Sequence, residues 1–302
     1  MDVSIIIVNY NTCNLTKQCI DSIFERTKGI KFEIILVDNA SKDNSYEIFS
    51  KDKRITFISS NINLGFGKAN NLGYKVAKGK YIFLLNSDTI LLNNAVKIFR
   101  DELEKMPKNV ACLGTILKAS DGISDNNSFS EFPSLKTTAK FLKELYFRQN
   151  NYSIQKRNTP FEVDYIIGAD LFIRRSVIEK LGLFDPNFFM YYEESEMQYR
   201  YHNMGYKSII IDQPHIIHLE GASSNVRGRK LTGKKAVMYY YSMLIYMGKR
   251  YSGLKYLLFR LLFILYIPLM IYDKVPLKVL TLCFKTHLQI IKDKKYGKII
   301  IY

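Results

Sequence analysis

Cysteine is scarce in this chain, and its placement excludes two common kinds of site. The four cysteines, at positions 13, 19, 112 and 283, form no Cys-x-x-Cys pair. A structural zinc site or a disulfide framework needs closely spaced thiols, so neither is expected and a reducing compartment is favoured. The first residues also lack a basic stretch followed by a small-residue cleavage site, so no secretory signal is expected there.

Long apolar runs are missing as well. The most apolar stretch lies between Leu254 and Tyr272, but Lys255 and Arg260 interrupt it and leave 12 uninterrupted residues from Leu261 onward. A membrane-spanning helix needs roughly 20 apolar residues. The pattern therefore predicts a helix that lies in a membrane surface, with its lysines and arginines reaching the lipid headgroups. Packing against the rest of the protein, or against a second copy in a homo-oligomer, is one alternative, and a true membrane-spanning helix is another.

Acids are almost absent from the last quarter of the chain. Residues 227–302 hold 16 Lys and Arg against two Asp, a net charge of +14, whereas the other 226 residues hold 28 basic against 26 acidic groups, a net charge of +2. Such asymmetry predicts a nucleic-acid or membrane-surface partner for the terminal segment. The apolar helix favours the membrane, so we expect residues 249–298 to bind a membrane surface and no nucleic acid. A solvated basic tail is the alternative.

Strand and helix patterns alternate through the first 115 residues. Strands are predicted at residues 3–8, 32–37, 55–58, 81–85 and 110–113, and helices at 15–24, 43–49, 68–77 and 94–104. Asn14 is expected to cap the first of these helices and Gly79 to end the third. This alternation predicts an α/β fold with a mainly parallel sheet covered by helices on both faces.

The second part of the chain is less regular. Residues 119–160 show weak periodicity and predict a long, partly mobile loop. Regular structure is expected to resume at 161–167. Further strands are predicted at 209–211 and 215–219, and further helices at 176–181 and 193–204. We predict one domain over residues 1–225, divided into halves at 1–115 and 116–225, followed by a helical basic segment over 226–302.

Polar residues follow the first two strands, at the edge where open parallel sheets bind their ligands. Asn9 and Tyr10 follow the first strand, and Asp38 follows the second. Asp38 can accept an N–H of a uracil or thymine ring or a ribose hydroxyl, or it can simply cap its turn. Tyr10 can cover a base, although packing beside the turn is an equally ordinary role.

Two close glycines open the predicted helix at 68–77. Gly65 and Gly67 resemble part of a dinucleotide fingerprint, but Asn70 stands at the third glycine position and no acid follows at the expected distance. A dehydrogenase is therefore disfavoured. The helix N-terminus and Lys68 can still hold a pyrophosphate, unless the glycines serve only the turn.

Asp88 follows the apolar run of the fourth strand, which would bring its carboxylate to the sheet edge. A Mg²⁺ or Mn²⁺ ion prefers oxygen ligands, and one protein carboxylate suffices when a substrate diphosphate supplies the others. Helix capping is the alternative for Asp88. His218 ends a later strand-like run, and a lone histidine is more often structural than metal-binding.

Three acids stand at the start of the predicted helix at 193–204: Glu193, Glu194 and Glu196. The helix dipole favours acids there in any protein, so a purely structural role is one interpretation. An aromatic run precedes them and can form a dry wall that raises the pKa of a carboxyl group toward that of a general base.

Five segments occur in order: Val3–Asn11, Leu36–Ser41, Asn63–Asn71, Leu84–Thr89 and Gly182–Glu196. Together they resemble glycosyltransferase family 2, most of all its rhamnosyltransferase-like members from bacterial surface-polysaccharide pathways. The resemblance covers about residues 1–225. It implies the GT-A fold of Rossmann-like nucleotide-diphospho-sugar transferases, a nucleotide-sugar donor, a divalent Mg²⁺ or Mn²⁺, and inversion at the anomeric carbon.

The resemblance also implies residue roles. The nucleotide sugar would be bound by Asn9, Tyr10, Asp38, Lys68, Asn70, Asn86 and Asp88. The family's Asp-x-Asp metal motif is Asn86-Ser87-Asp88 here, so Asp88 and His218 would hold the metal. The family's Glu-Asp base motif is Glu193-Glu194, with Glu194 as the general base. The acceptor and donor sugar would lie on Gly168, Ala169, Asp170 and Glu196.

We therefore expect an inverting glycosyltransferase at the cytoplasmic face of a cell membrane. The expected reaction moves rhamnose from dTDP-rhamnose to a lipid-linked or glycan acceptor, and a UDP-sugar donor is the alternative. A nucleotidyltransferase is disfavoured because Asn9–Thr12 stands where its glycine-rich loop would be. A non-catalytic nucleic-acid or membrane module is disfavoured because clustered carboxylates repel phosphates unless a metal is bound.

Overall fold

The computed structural model of the chain describes residues 1–147, 158–219 and 233–272, with four isolated positions beyond them. The strands, in chain order, are β1 (Val3–Asn9), β2 (Phe32–Asp38), β3 (Thr56–Ser59), β4 (Tyr81–Asn86), β5 (Thr89–Leu91), β6 (Val110–Thr115), β7 (Phe129–Ser130), β8 (Phe161–Val163), β9 (Tyr165–Ile166), β10 (Asp170–Arg174), β11 (Lys207–Ile211) and β12 (Ile216–His218). The helices are α1 (Cys13–Arg26), α2 (Ser45–Phe49), α3 (Phe66–Tyr74), α4 (Ala95–Lys105), α5 (Leu135–Phe147), α6 (Arg175–Leu181), α7 (Glu193–His202), α8 (Gly233–Arg250) and α9 (Gly253–Tyr272). The cysteine at 283 and most basic positions beyond residue 272 lie outside the described ranges.

The central sheet has eight strands in the order β3-β2-β1-β4-β10-β6-β11-β8. Strands β3, β2, β1 and β4 run parallel to one another, as do β6 and β11. Strand β10 lies antiparallel between β4 and β6, and β8 is antiparallel at the edge. The predicted mainly parallel sheet is confirmed, but the alternation of strands and helices did not predict an antiparallel strand through its middle.

Apolar side chains fill both faces of the sheet, as expected for strands that are buried on two sides. On one face α1 and α4 cover the strands, and the rings of Phe99 and Phe172 stack with centroids 5.4 Å apart. On the other face lie α3, α6 and α7, whose Met197 and Tyr201 are almost fully buried. The sheet is therefore covered by helices on both faces, as the sequence predicts.

Two predicted helix signals have other roles in the structure. Helix α1 begins at Cys13, one residue before the predicted cap Asn14, and the Cys13 N–H donates to Asp43 Oδ2 at 3.0 Å. Helix α3 ends at Tyr74, so Gly79 does not terminate it. A Cβ atom on Gly79 would lie 2.3 Å from the Ser4 nitrogen, so this glycine is required for close approach of two backbones.

The prediction of a long loop over residues 119–160 is wrong in part, because strand β7 and the 13-residue helix α5 lie within it. Leu142 of α5 is buried in an apolar cluster with residues of α8 and α9. The partner that completes this helix lies more than a hundred residues later in the chain, which is why local periodicity did not identify it. Residues 148–157 lie outside the described part.

Helices α8 and α9 join α5 in a third apolar cluster, where Met243–Met247 are almost fully buried beside Phe188. Part of the predicted C-terminal segment is therefore packed against the rest of the chain. Within the described ranges, no helix combines the length and the apolar character that a bilayer span requires.

Candidate functional site

The carboxyl ends of β1, β2 and β4 bring three predicted site residues to one edge of the sheet. In the parallel register, Asn9 is aligned with Asp38, and Val8 with Asn86. The Asn9 side-chain amide donates to Asp38 Oδ1 at 2.7 Å, and both residues are buried. The Asp38 carboxylate therefore has a defined orientation at the edge where a nucleotide would bind.

A buried hydroxyl network, which sequence reasoning missed, supports this edge. The Asn9 side-chain oxygen accepts hydrogen bonds from Thr12 at 2.8 Å and from Thr16 at 2.7 Å. Thr12 also lies 3.1 Å from the Ser87 hydroxyl, and Asn9 donates to Ser41 at 3.0 Å. Asn9 is thus engaged on both sides of its amide, and it positions Asp38. A direct contact of Asn9 with a nucleotide stays a prediction.

Asp88 and His218 are neighbours because the two short strands β5 and β12 pair, with His218 opposite Thr89. Asp88 Oδ1 lies 3.2 Å from His218 Nε2. The Leu219 N–H donates to the Asp88 carbonyl at 2.9 Å, and the Asn86 amide lies 3.4 Å from His218 Nε2. The Asp88 carboxylate and the His218 imidazole are both buried. The structure thus brings the two predicted residues together from positions 130 residues apart.

The separation of these two donor atoms fits a divalent cation. Metal–oxygen distances of about 2.0–2.1 Å place adjacent octahedral ligands about 3 Å apart, close to the 3.2 Å found between Asp88 Oδ1 and His218 Nε2. Among the described residues, no set of three His, Cys, Asp or Glu side chains is grouped to hold an ion. A metal at Asp88 and His218 would therefore need further ligands from a substrate or from water, as Mg²⁺ usually does.

Glu193 and Glu194 begin α7, behind the aromatic loop, which here denotes residues 182–192. Burial raises the pKa of Glu193 well above its ordinary value, and the neighbouring Glu194 charge adds to the rise. Burial also raises the pKa of Glu194, while the backbone N–H of Gly168 opposes the rise. One oxygen of each carboxyl group is buried without a hydrogen-bond partner among the described residues. Such a pair is suited to hold or accept a proton.

Gly168 connects the carboxylate pair to the Asp88 edge. Its N–H faces the Glu194 carboxyl group, and the next residue, Ala169, accepts a hydrogen bond from the Asn86 N–H at 3.0 Å. Asn86 in turn touches His218. The antiparallel strand β10 makes this link, because it starts directly after Ala169 and pairs with β4. The base candidate and the metal candidates therefore border one region of the sheet edge.

Two tyrosines in left-handed backbone conformation precede the carboxylates: Tyr191 with φ 70° and Tyr192 with φ 68°. This conformation is unfavourable for bulky residues and costs of order 1–3 kcal/mol each. The loop is anchored to α3, since the Phe66 N–H donates to the Phe189 carbonyl at 2.9 Å. The strain is thus held by surrounding contacts next to the candidate base.

A sequence model described as "Glycosyl transferase family 2" matches residues 4–182, which is more than half of the chain. The chain belongs to glycosyl transferase family 2. A similar curated protein is the low-salt glycan biosynthesis hexosyltransferase Agl10 of Haloferax volcanii, 29% identical over 205 residues that cover 66% of this chain and 61% of that protein. The chain thus spans less than two thirds of that relative.

Solved structures of glycosyltransferases with the GT-A fold superpose on the chain. GalNAc-T7 with UDP, GalNAc and Mn²⁺ has a TM-score of 0.59 and 15% identity, covering 82% of this chain and 48% of that one. The mannosyltransferase PcManGT of Pyrobaculum calidifontis with GDP-Man and Mn²⁺ has a TM-score of 0.55 and 14% identity, covering 94% and 73%. The predictions of a GT-A fold and of membership in glycosyl transferase family 2 are confirmed.

The remaining predicted site residues have varied surroundings. Tyr10 is 46% exposed and Lys68, in the first turn of α3, is exposed, so both can reach a ligand. Asn70 is buried and donates to the Phe66 carbonyl at 3.0 Å. Asp170 is fully buried and accepts the Thr115 N–H at 2.7 Å, and burial raises its pKa well above the ordinary value.

Glu196 forms ion pairs with two basic side chains of the same protein. Its carboxylate lies 2.6 Å from Lys249 Nζ and 3.2 Å from Arg200. Ligand-binding roles for Asn70, Asp170 and Glu196 stay predictions, and their contacts in the structure are with the protein.

Proposed function

We propose that the chain is an inverting glycosyltransferase that moves a sugar from a nucleotide-diphosphate donor to an acceptor hydroxyl. The observation that carries the proposal is the link from Glu194 through Gly168 and Ala169 to Asn86 and the Asp88–His218 pair. Through this link, the candidate base and the candidate metal ligands lie near one edge of the parallel strands, where sheets of this kind bind nucleotides. Family membership supports the reaction class.

In the proposed reaction, Glu194 accepts the proton of the acceptor hydroxyl as that oxygen bonds to the anomeric carbon. The bond from the anomeric carbon to the diphosphate oxygen breaks, and its electron pair leaves with the diphosphate. Attack opposite the leaving group inverts the anomeric centre. Burial raises the pKa of Glu194, which makes it a stronger base than an exposed carboxylate.

The diphosphate is the part of the substrate that needs positive charge. Asp88 and His218 would hold a Mg²⁺ or Mn²⁺, which would neutralise the charge that builds on the leaving group. Lys68 is exposed in the first turn of α3, where the helix N-terminus also favours phosphate. Asp38 and Tyr10 are proposed to contact the base of the nucleotide.

Replacement of Glu194 by glutamine tests the base. General-base catalysis contributes about 10²–10⁴-fold, so Glu194→Gln should lower the transfer rate by about 100-fold or more without weakening binding of the nucleotide. The matched control is Glu47→Gln, an exposed glutamate on α2 that should leave the rate unchanged. A native transfer rate in Glu194→Gln would remove Glu194 from this role.

We propose dTDP-rhamnose as the first donor to test, on the resemblance of the ordered sequence segments, and a lipid-linked or glycan hydroxyl as the acceptor. UDP-sugars are the alternative donors. Calorimetric titration with dTDP and UDP, each with and without Mn²⁺, distinguishes the bases. Tighter binding of UDP than of dTDP would argue against the rhamnose donor.

We further propose that α9 rests on an anionic membrane surface, which would hold the protein peripherally at the inner face of the cell membrane. One side of α9 exposes six large apolar residues: Leu254, Leu257, Leu258, Leu261, Ile264 and Leu265. Their spacing is that of one helix face. The sequence segment 227–302 has a net charge of +14, which complements anionic headgroups, and each cation that lies near the membrane surface contributes about 1 kcal/mol.

Liposome flotation tests this surface. Leu257→Glu/Leu261→Glu should abolish co-flotation with phosphatidylglycerol-containing vesicles, whereas the control Ile123→Glu, at an 81% exposed site elsewhere, should not. Equal flotation of all variants would contradict the membrane proposal. If the native protein does not float and the double variant has a changed sedimentation coefficient, the result would instead indicate that α9 contributes to a homo-oligomer.

A further inference from the structure

The family model ends at residue 182, yet the candidate base lies in α7 and the aromatic loop that leads to it contacts α8. On one side, this loop is joined to α3. Asn71 donates to the Phe184 carbonyl at 2.7 Å and accepts the Phe184 N–H at 3.1 Å. The opposite side of the loop faces α8, so the loop is held between the nucleotide half and a helix far along the chain.

Lys249 forms a buried ionic contact between α8 and the loop. Its side chain is 4% exposed, and its ammonium group pairs with Asp185 of the loop and with Glu196 Oε1 at 2.6 Å. Glu196 lies in the first turn of α7, three residues after Glu193, and its second oxygen contacts Arg200. The two cations and two acids balance in charge, which is the condition for a buried ionic cluster to be tolerated.

Aromatic and hydroxyl contacts from α8 hold the two left-handed tyrosines. Tyr239 packs against Tyr191 and Tyr192 with ring centroids 5.9 and 5.3 Å apart. Buried Ser242 donates to the Met190 carbonyl at 2.7 Å. Because the tyrosine conformation is unfavourable by itself, contacts of this kind must maintain it. The direction in which α7 begins is therefore set in part by α8.

We propose that Lys249 is a positioning residue of the transfer reaction: its pairing with Asp185 and Glu196 fixes the first turn of α7 and thereby the carboxylates of Glu193 and Glu194. The proposal rests on the proposed function, since it assigns to Lys249 an action through the base. It makes α8 a part of the catalytic unit and not an accessory segment.

A double-mutant cycle on turnover tests the proposal. The probe is whichever of dTDP-rhamnose, UDP-glucose, UDP-N-acetylglucosamine and GDP-mannose the native protein hydrolyses fastest in the presence of Mn²⁺. Lys249→Met should lower kcat at least 10-fold and leave KM for the donor within about twofold, because the nucleotide edge is untouched. Lys249→Arg, which retains the charge, should keep more of the rate. The matched control is Lys108→Met, at an exposed lysine between α4 and β6.

Lys249→Met in a Glu194→Gln background shows whether Lys249 acts through the base or independently of it. If Lys249 acts through the base, Lys249→Met should cause little further loss there, because coupled residues are not additive. Ser242→Ala removes one hydrogen bond and no charge, and it should lower kcat in the same direction even if Lys249→Met fails to fold.

Native kcat in both Lys249→Met and Ser242→Ala, or an undiminished loss in the Glu194→Gln background, would overturn the positioning role. If Lys249→Met does not fold, native kcat in Ser242→Ala alone overturns it. A native rate in Glu194→Gln alone would overturn the proposed base instead. Turnover of none of the four donors by the native protein would contradict the proposed function itself.

Discussion

Gly65 caps the N-terminus of α3 and lies directly against the aromatic loop. Its backbone has φ 80° and ψ 177°, a region that is essentially open only to glycine. A Cβ atom there would lie 2.0 Å from the Phe189 carbonyl oxygen, where real Cβ contacts stay above about 3.0 Å. In Gly65→Ala the loop must therefore retreat by about 1 Å from the nucleotide half.

The expected loss of stability follows from two contributions. The backbone conformation costs alanine about 1–3 kcal/mol. The Phe66 N–H would lose its bond to Phe189, and an unsatisfied buried donor costs about 1–3 kcal/mol more. We expect a decrease of about 2–6 kcal/mol in the free energy of unfolding, a large part of the usual total of about 5–15 kcal/mol. Turnover should fall by about 100-fold, because a displacement of 1 Å in a catalytic site has that order of effect.

Urea unfolding and donor hydrolysis measure the two effects in the same preparations. Gly205→Ala is the matched control, since Gly205 also has a positive φ of 83°, but no atom of the described part of the chain, apart from Gly205 and its two chain neighbours, lies within 4 Å of an added Cβ. It should lose about 1–2 kcal/mol and no turnover. Equal losses of stability in the two variants, together with native turnover in Gly65→Ala, would refute the reasoning.

Three further predictions concern titration, metal binding and thiols. Burial and the Glu194 charge raise the folded-state pKa of Glu193. The contribution of Glu193 to stability is therefore greatest below its unfolded-state pKa and is lost as pH rises through its folded-state pKa. In urea unfolding, Glu193→Gln should be more stable than the native protein at pH 7.5 and should show no gain at pH 4. Asp88→Asn and His218→Ala should each weaken Mn²⁺ binding in the presence of UDP by at least 10-fold in calorimetry, and native affinity in both would contradict the metal site. Burial raises the pKa of Cys19 and Cys112 to about 12, so iodoacetamide at pH 8 should leave both unlabelled in peptide mass spectra until urea is added.

The sequence predicted most of the nucleotide half because its signals are local. A run such as Val3–Asn9 is buried on both faces, and it is recognisable as a central strand without any partner in view. The polar residues after each strand were likewise predictable, since parallel strands end at one edge. Asp88 and Asp38 were identified for that reason.

The contacts that orient those residues were not predictable from local pattern. Thr12 and Ser87 share a hydrogen bond across 75 positions, and neither carries a signal in its own neighbourhood. Local periodicity predicts a loop where helix α5 lies, because the buried face of α5 is completed by α8 and α9. The antiparallel strand β10 was likewise invisible as such, since direction in a sheet is decided by the path of the chain between strands.

The amino-acid sequence by itself determined the family, the strands and helices of the first half, and which carboxylates lie at the ends of secondary-structure elements. The tertiary structure alone decided that Asp88 meets His218, that Gly168 joins Glu194 to that pair, and that Lys249 is buried beside Glu196. The physical reason is range. Backbone preference and apolar periodicity act over a few residues, whereas ion pairing and desolvation depend on which distant segments the packed core brings into contact.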